Sequence, residues 1–257
     1  MLQSMLVDKS QLLLEDRFAP ITSEIGFIAA PRDQVVQAYS DWQQLRQIER
    51  NIHLKYQVVR GECAQVLSGL EPLTLRESSK SLFIPVANGW TAYVDNRSGG
   101  TDAEAVVLCL SRALQCLGIK MVAAPHTKLG EQKGASGAYG GLAFQLFDPQ
   151  KNRDLSYCRV LALSNDAGKW EFISIGDPLP FEDTQSYKNR SKIERFTFSH
   201  LKAYLAAFEI SAFDSSFYRT VDLGAVLLEK QGPKISALKA TSLPEVRRFM
   251  GIDTEIV

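Results

Sequence analysis

The chain has 257 residues, of which 45% are hydrophobic and 23% charged, and its 29 basic and 29 acidic side chains cancel. Such values belong to a chain that folds around a core and exclude global disorder. With no net field, composition gives no support for binding nucleic acid or an anionic membrane. No basic segment followed by a long apolar one opens the chain, and the apolar stretches at 105–110 and 119–125 are too short to span a bilayer, so a cytoplasmic location is expected.

In chain order, residues 24–30 read as a strand. Pro31 then opens a helix with Asp33 in its first turn, where the helix dipole favours an anion. Val35, Tyr39, Trp42 and Leu45 recur at helical spacing on one face. Residues 54–60 read as a strand, and 62–70 as a short helix stopped before Pro72. Residues 81–86 and 90–94 are strand-like and flank Asn88-Gly89, a strong hairpin signal. After the loop 95–100, Thr101-Asp102-Ala103-Glu104 has the spacing of a capping box and predicts a helix from Asp102 to about Leu117. Residues 119–124 read as an apolar strand buried on both faces.

A loop from Lys128 to Gly141 is rich in glycine. Three strands are predicted after it, at 142–147, 159–164 and 170–175, with turn chemistry between them, as in an antiparallel meander. The polar stretch 177–192, with Pro178 and Pro180, reads as a linker or lid. Thr197 is placed to cap a helix through Phe208. Residues 224–230 read as a strand. Ser242-Leu243-Pro244-Glu245 is a second capping box, opening a terminal helix that carries Val246, Phe249 and Met250. The pattern lacks a regular strand–helix alternation and predicts an α+β fold, with a central mixed, largely antiparallel sheet and flanking helices. Residues 1–182 are assigned to the main domain and 183–257 to a C-terminal helical segment packed on the same core.

Chemistry-bearing motifs are sparse. The cysteines Cys63, Cys109, Cys116 and Cys158 form no CxxC pair. Cys109 and Cys116 read as small hydrophobes on one helix face, roughly 10 Å apart along the axis and so too distant for a disulfide. The histidines His53, His126 and His200 form no HExxH or HxxxH pair, so neither a metal nor a cofactor is expected. His200, near a helix start, reads as solvent-facing. If the strands 90–94 and 119–124 run parallel and the helix between them crosses over, Asp95, Asn96, Asp102, His126 and Thr127 gather at one sheet edge. His126 is then a candidate base, with Asp95 or Asp102 orienting it. The simpler reading makes Asp95-Asn96 a turn and leaves His126 to satisfy a loop carbonyl. Gly134, Ser136 and Gly137 in the glycine-rich loop, and Asp177, Glu182 and Asp183 in the acidic segment, are candidate partner contacts.

The strings GWTAYVDN, GTDAE and CLGIKMVAAPHT, with ERFTFSHLKAYLAAFEI, FDSSFY and SLPEVRRFMGI in the C-terminal part, resemble a broad set of bacterial proteins sharing a W-T-A-Y/F-x-D-N core, for which no catalytic role is established. In size and architecture the chain is also similar to cytoplasmic immunity proteins of bacterial toxin systems. That resemblance implies an α+β protein without a cofactor that binds one toxin. The first expectation is therefore a protein-binding protein, more a binder than an enzyme. A small hydrolase or transferase working near Asp95 and His126 is the alternative, and a structural or assembly subunit the third. The sequence names neither the partner nor the oligomeric state.

Overall fold

The computed structural model describes residues 7–128, 138–151, 157–166 and 169–252, with the side chains of 45–47, 126–128 and 138–139 outside the description. In chain order the elements are β1 (Glu24–Ile28), α1 (Arg32–Arg50), β2 (His53–Val59), α2 (Cys63–Ser68), β3 (Leu73–Thr74), β4 (Lys80–Pro85), β5 (Thr91–Asp95), α3 (Glu104–Leu114) and β6 (Gly118–Lys128). There follow β7 (Ala138–Phe147), β8 (Tyr157–Asp166), β9 (Lys169–Ile175), α4 (Phe198–Ala206), β10 (Ala225–Gln231), α5 (Pro233–Ser236), β11 (Ala240–Thr241) and α6 (Leu243–Met250).

The fold is α+β. Nine strands form one sheet in the order β2-β10-β4-β5-β1-β6-β7-β8-β9, and β3 pairs with β11 beside it. Each ladder of the large sheet is antiparallel. Asn88 and Gly89, both at positive φ, turn the chain between β4 and β5, and β6 through β9 form the meander. β10, which lies beyond residue 183, pairs with β2 on one side and β4 on the other, and its Ala225 and Leu228 are fully buried.

Strand alternation divides the core in two. Ile25, Phe27, Ile119 and Met121 join the larger cluster, which α2, α4 and the aromatic connector near Phe217 cover. Ile28, Phe83, Tyr93 and Leu228 point to the opposite face, against Val35 and Tyr39 of α1 and Val107 and Leu110 of α3. α3 lies close on the sheet because glycine stands beneath it. A Cβ added at Gly26 or Gly118 would come within 2.5 Å of a Val107 methyl.

Four local expectations are corrected. α3 spans Glu104–Leu114 and ends where Gln115 takes φ 51, so Cys116 falls outside it. Thr101 and Glu104 form no capping box, for reasons given below. β6 is not wholly apolar: Lys120 lies on its α3 side, 2.9 Å from Glu104 and 3.6 Å from Glu24. Residues 177–192 are no free linker or lid, because the Glu182 carboxylate reaches inward to the buried guanidinium of Arg159.

Candidate functional site

β5 and β6 both run antiparallel to β1, which lies between them, so they are parallel to each other and end at the same sheet edge. α3 connects them, and its N-terminus stands at that edge. The backbone donors at its entry, Asp102 and Ala103, meet carboxylates from two strands, and no side-chain cap forms from its own flanking residues. Ala103 N–H donates to Glu24 Oε1 at 2.7 Å, and Asp102 N–H to Asp95 Oδ2 at 3.3 Å. Thr101 Oγ1 is used elsewhere: it accepts from Asp95 N–H at 3.1 Å and donates to the Ile21 carbonyl at 2.9 Å. Glu104 receives hydrogen bonds from Lys120 and Tyr157.

Asp95 is 2% exposed. Burial pushes its carboxyl above the usual carboxylate range, against the hydrogen bonds it accepts from the Arg97 and Asp102 amides and from Tyr93 Oη. Arg97 N–H lies at 3.0 Å and Tyr93 Oη at 3.1 Å. Asn96 is equally committed. Its Oδ1 accepts from Ser79 N–H and Lys80 N–H, both at 2.9 Å, and its Nδ2 donates to the Pro72 carbonyl at 2.8 Å. The Asp-Asn pair therefore holds the loop 96–101 in place. Glu24, half-buried, is raised to about 7 by loss of solvation, which the nearby Lys120 cation only partly offsets.

The same register separates Asp95 from His126. Continuing it sets Asp95 level with Glu24, which pairs with Val122, four residues before His126. Two inter-strand steps and four residues of rise put the two Cα atoms about 16 Å apart, beyond a direct side-chain hydrogen bond. Only the backbone of His126 and Thr127 is described, and Gly134, Ser136 and Gly137 lie outside the described residues. Asp102 is half exposed and pairs with Arg97.

The acidic candidates are dispersed in role. Asp177 is exposed. Glu182 has a fully buried side chain and takes Arg159 Nε at 2.8 Å and Nη2 at 2.7 Å, together with Tyr187 Oη and Leu179 N–H. Buried in this way, it cannot meet a partner. Asp183 accepts from Gln185 N–H and Ser186 N–H to close a turn. His200 is not solvent-facing. It is the third helical residue of a capping box at the start of α4: its Nδ1 accepts from Thr197 N–H at 3.2 Å, and its ring stacks on Tyr204.

Three concavities open around the loop 96–101. The largest, about 740 Å³, is a groove between that loop, residues 75–76 and α6. Ser242 caps α6 through a reciprocal box with Glu245, and Gly251 at φ 68 ends it. Leu243 and Val246 are buried, and Arg247 fastens the helix by donating to the Asp16 and Ala19 carbonyls. Phe249, 70% exposed, and Leu75, 48% exposed, both line the groove. Arg76, Arg97 and Lys239 also line the groove, with Glu245 as its acid. The Glu245 carboxylate is engaged by Ser242 N–H, Ser242 Oγ and Thr241 Oγ1. In sequence, Phe249 and Met250 read only as residues carried by a terminal helix, and no local signal distinguishes an exposed aromatic from a buried one.

No protein-family model, curated protein or solved structure matches the chain. Among the described residues no helix is long and apolar enough to cross a membrane, and no cluster of His, Cys, Asp and Glu has a metal-binding arrangement.

Proposed function

We propose that the protein acts by binding another protein in the groove beside α6. The observation that carries this reading is the exposure of Phe249 and Leu75 on one concave apolar surface that Arg76, Arg97 and Lys239 also line. An aromatic anchor beside arginine is the composition of an interface centre, and an exposed apolar patch in a concavity costs solubility unless something covers it. The side chains with the strongest claim to chemistry, Asp95 and Glu182, spend their oxygens on the fold itself. The cations lining the groove select a partner segment that carries apolar side chains flanked by carboxylates. An immunity factor that covers the active site of a bacterial toxin is one member of this class.

The test is quantitative affinity capture from the native cell with the full chain and with Phe249→Asp. Phe249 is exposed, so the variant should retain the wild-type melting temperature. A protein recovered in near-equal amount by the wild type and lost with the variant supports the reading, and growth arrest when that protein is expressed alone supports the immunity assignment. Equal recovery by both chains, or no protein recovered by either, refutes it.

A further inference from the structure

The nine-stranded sheet has two edges, β9 and β2, and the chain treats them differently. A sheet edge presents unpaired backbone donors and acceptors that template another strand, and proteins commonly blunt it with a lysine, a bulge, a proline or a covering segment. β9 is guarded in this way. The turn Lys192–Glu194 lies against it, and Lys192 Nζ donates to the Trp170 carbonyl at 2.9 Å. β2 is not. Among the described residues no segment pairs with its outer side, and its ladder with β10 runs without a bulge. None of its residues is buried, and Tyr56 and Val58 are 46% and 51% exposed.

The ladder also fixes which backbone groups of β2 point outward. Lys230 N–H donates to the Ser79 carbonyl at 2.8 Å, on the β4 side of β10. Pairing alternates along an antiparallel strand, so the residues on either side of Lys230 turn their backbone groups to β2, where they meet His53 and Lys55, and then Gln57 and Val59 in step. The N–H and C=O groups of Leu54, Tyr56 and Val58 therefore point out from the edge. The side chains of the same three residues share the α1 face, where Tyr56 Oη meets Ser40 Oγ at 2.7 Å. One row thus offers open backbone groups and apolar side chains together.

We propose that β2 is the surface through which two copies of the chain associate, in antiparallel register about a two-fold axis at Tyr56. Tyr56 then meets Tyr56 of the second copy, Leu54 meets Val58, and Lys55 meets Gln57. Each outward N–H finds an outward C=O, apolar side chains face apolar ones, and no like charges are opposed. Moving the axis to Lys55 sets two ammonium groups directly opposite each other, which is destabilising, and moving it to Gln57 sets Leu54 against Arg60. This complementarity of β2 with itself selects a second copy over an extended segment of a different protein. Such a contact is closed, because both copies use the same patch. The groove beside α6 shares no residue with β2, so the two surfaces are independent.

The test is sedimentation velocity of the full chain at rising concentration. A single strand pair belongs to the small interfaces, below about 1,200 Å², so association is read up to about 200 μM. The wild type is expected to reach twice the mass of the chain. Tyr56→Lys and Tyr56→Glu each set like charges across the axis and should weaken association at least tenfold at an unchanged melting temperature. An equimolar mixture of the two variants should restore it, because residue 56 meets itself only in this register. Val58→Pro removes an outward N–H without touching the ladder to β10 and should weaken association as well. Phe249→Asp should leave it unchanged. A wild type that stays monomeric throughout overturns the proposal and leaves the edge to an extended segment of another protein. A dimer that neither the charged variants nor Val58→Pro weakens, or that the mixture fails to restore, overturns it too.

Discussion

Arg159 and Glu182 form an ion pair with both side chains buried, 1% and 0% exposed. Such a pair contributes little net stability while intact, but removing one partner leaves a buried charge and costs about 3–5 kcal/mol. Glu182→Ala is therefore expected to lower the melting temperature markedly by calorimetry, whereas Asp177→Ala, on the exposed part of the same segment, should leave it unchanged. Glu24 makes a pH-dependent contribution. Its carboxyl titrates near 7 in the folded chain and near its ordinary value when unfolded. Between those values the folded state holds the extra proton, so the stability this group contributes is present in acid and lost as pH rises toward 7. Glu24→Gln retains an acceptor for Ala103 N–H. It should flatten the decline in urea-unfolding free energy between pH 5 and 8; a decline equal to that of the wild type would refute the assignment.

The elements differ in how openly the sequence announces them. The Asn88-Gly89 hairpin, the meander from β7 to β9, the Thr197 cap and the Ser242 box are legible because each depends on residues a few positions apart. The start of α3 is not. Thr101 and Glu104 have capping-box spacing, but Glu24 and Asp95, which supply the acceptors, belong to strands distant in sequence. For the same reason β10 reads as a strand while its place between β2 and β4 does not. Likewise Glu182 reads as an acid in a polar segment until Arg159 is seen beneath it. The packing of α3 gives a direct test. Gly26→Ala and Gly118→Ala each drive a methyl into Val107, and each is expected to destabilise the protein by about 1–3 kcal/mol in urea unfolding. A neutral effect would mean that α3 does not sit on the sheet as described.

At the scale of the whole molecule, a nine-stranded antiparallel sheet fixes one edge where β5, α3 and the loop 96–101 meet, and α6 closes against it. The sequence indicated this edge through Asp95 and Asp102, offering them either as groups that orient His126 or, more simply, as turn and helix-start residues. The structure uses Asp95 to hold the loop, and the loop in turn forms a wall of the groove. The apolar surface of the groove includes Leu75 and Phe249, which are 174 positions apart in the chain and therefore show no joint pattern.

Hydrogen–deuterium exchange on the chain, free and in complex with the partner captured from its own cell, tests the central claim most directly. Binding in the groove is expected to slow exchange at residues 75–76, 97–99 and 243–250 while leaving 177–183 unchanged. Protection confined to other surfaces, with those three segments exchanging as in the free protein, would contradict it.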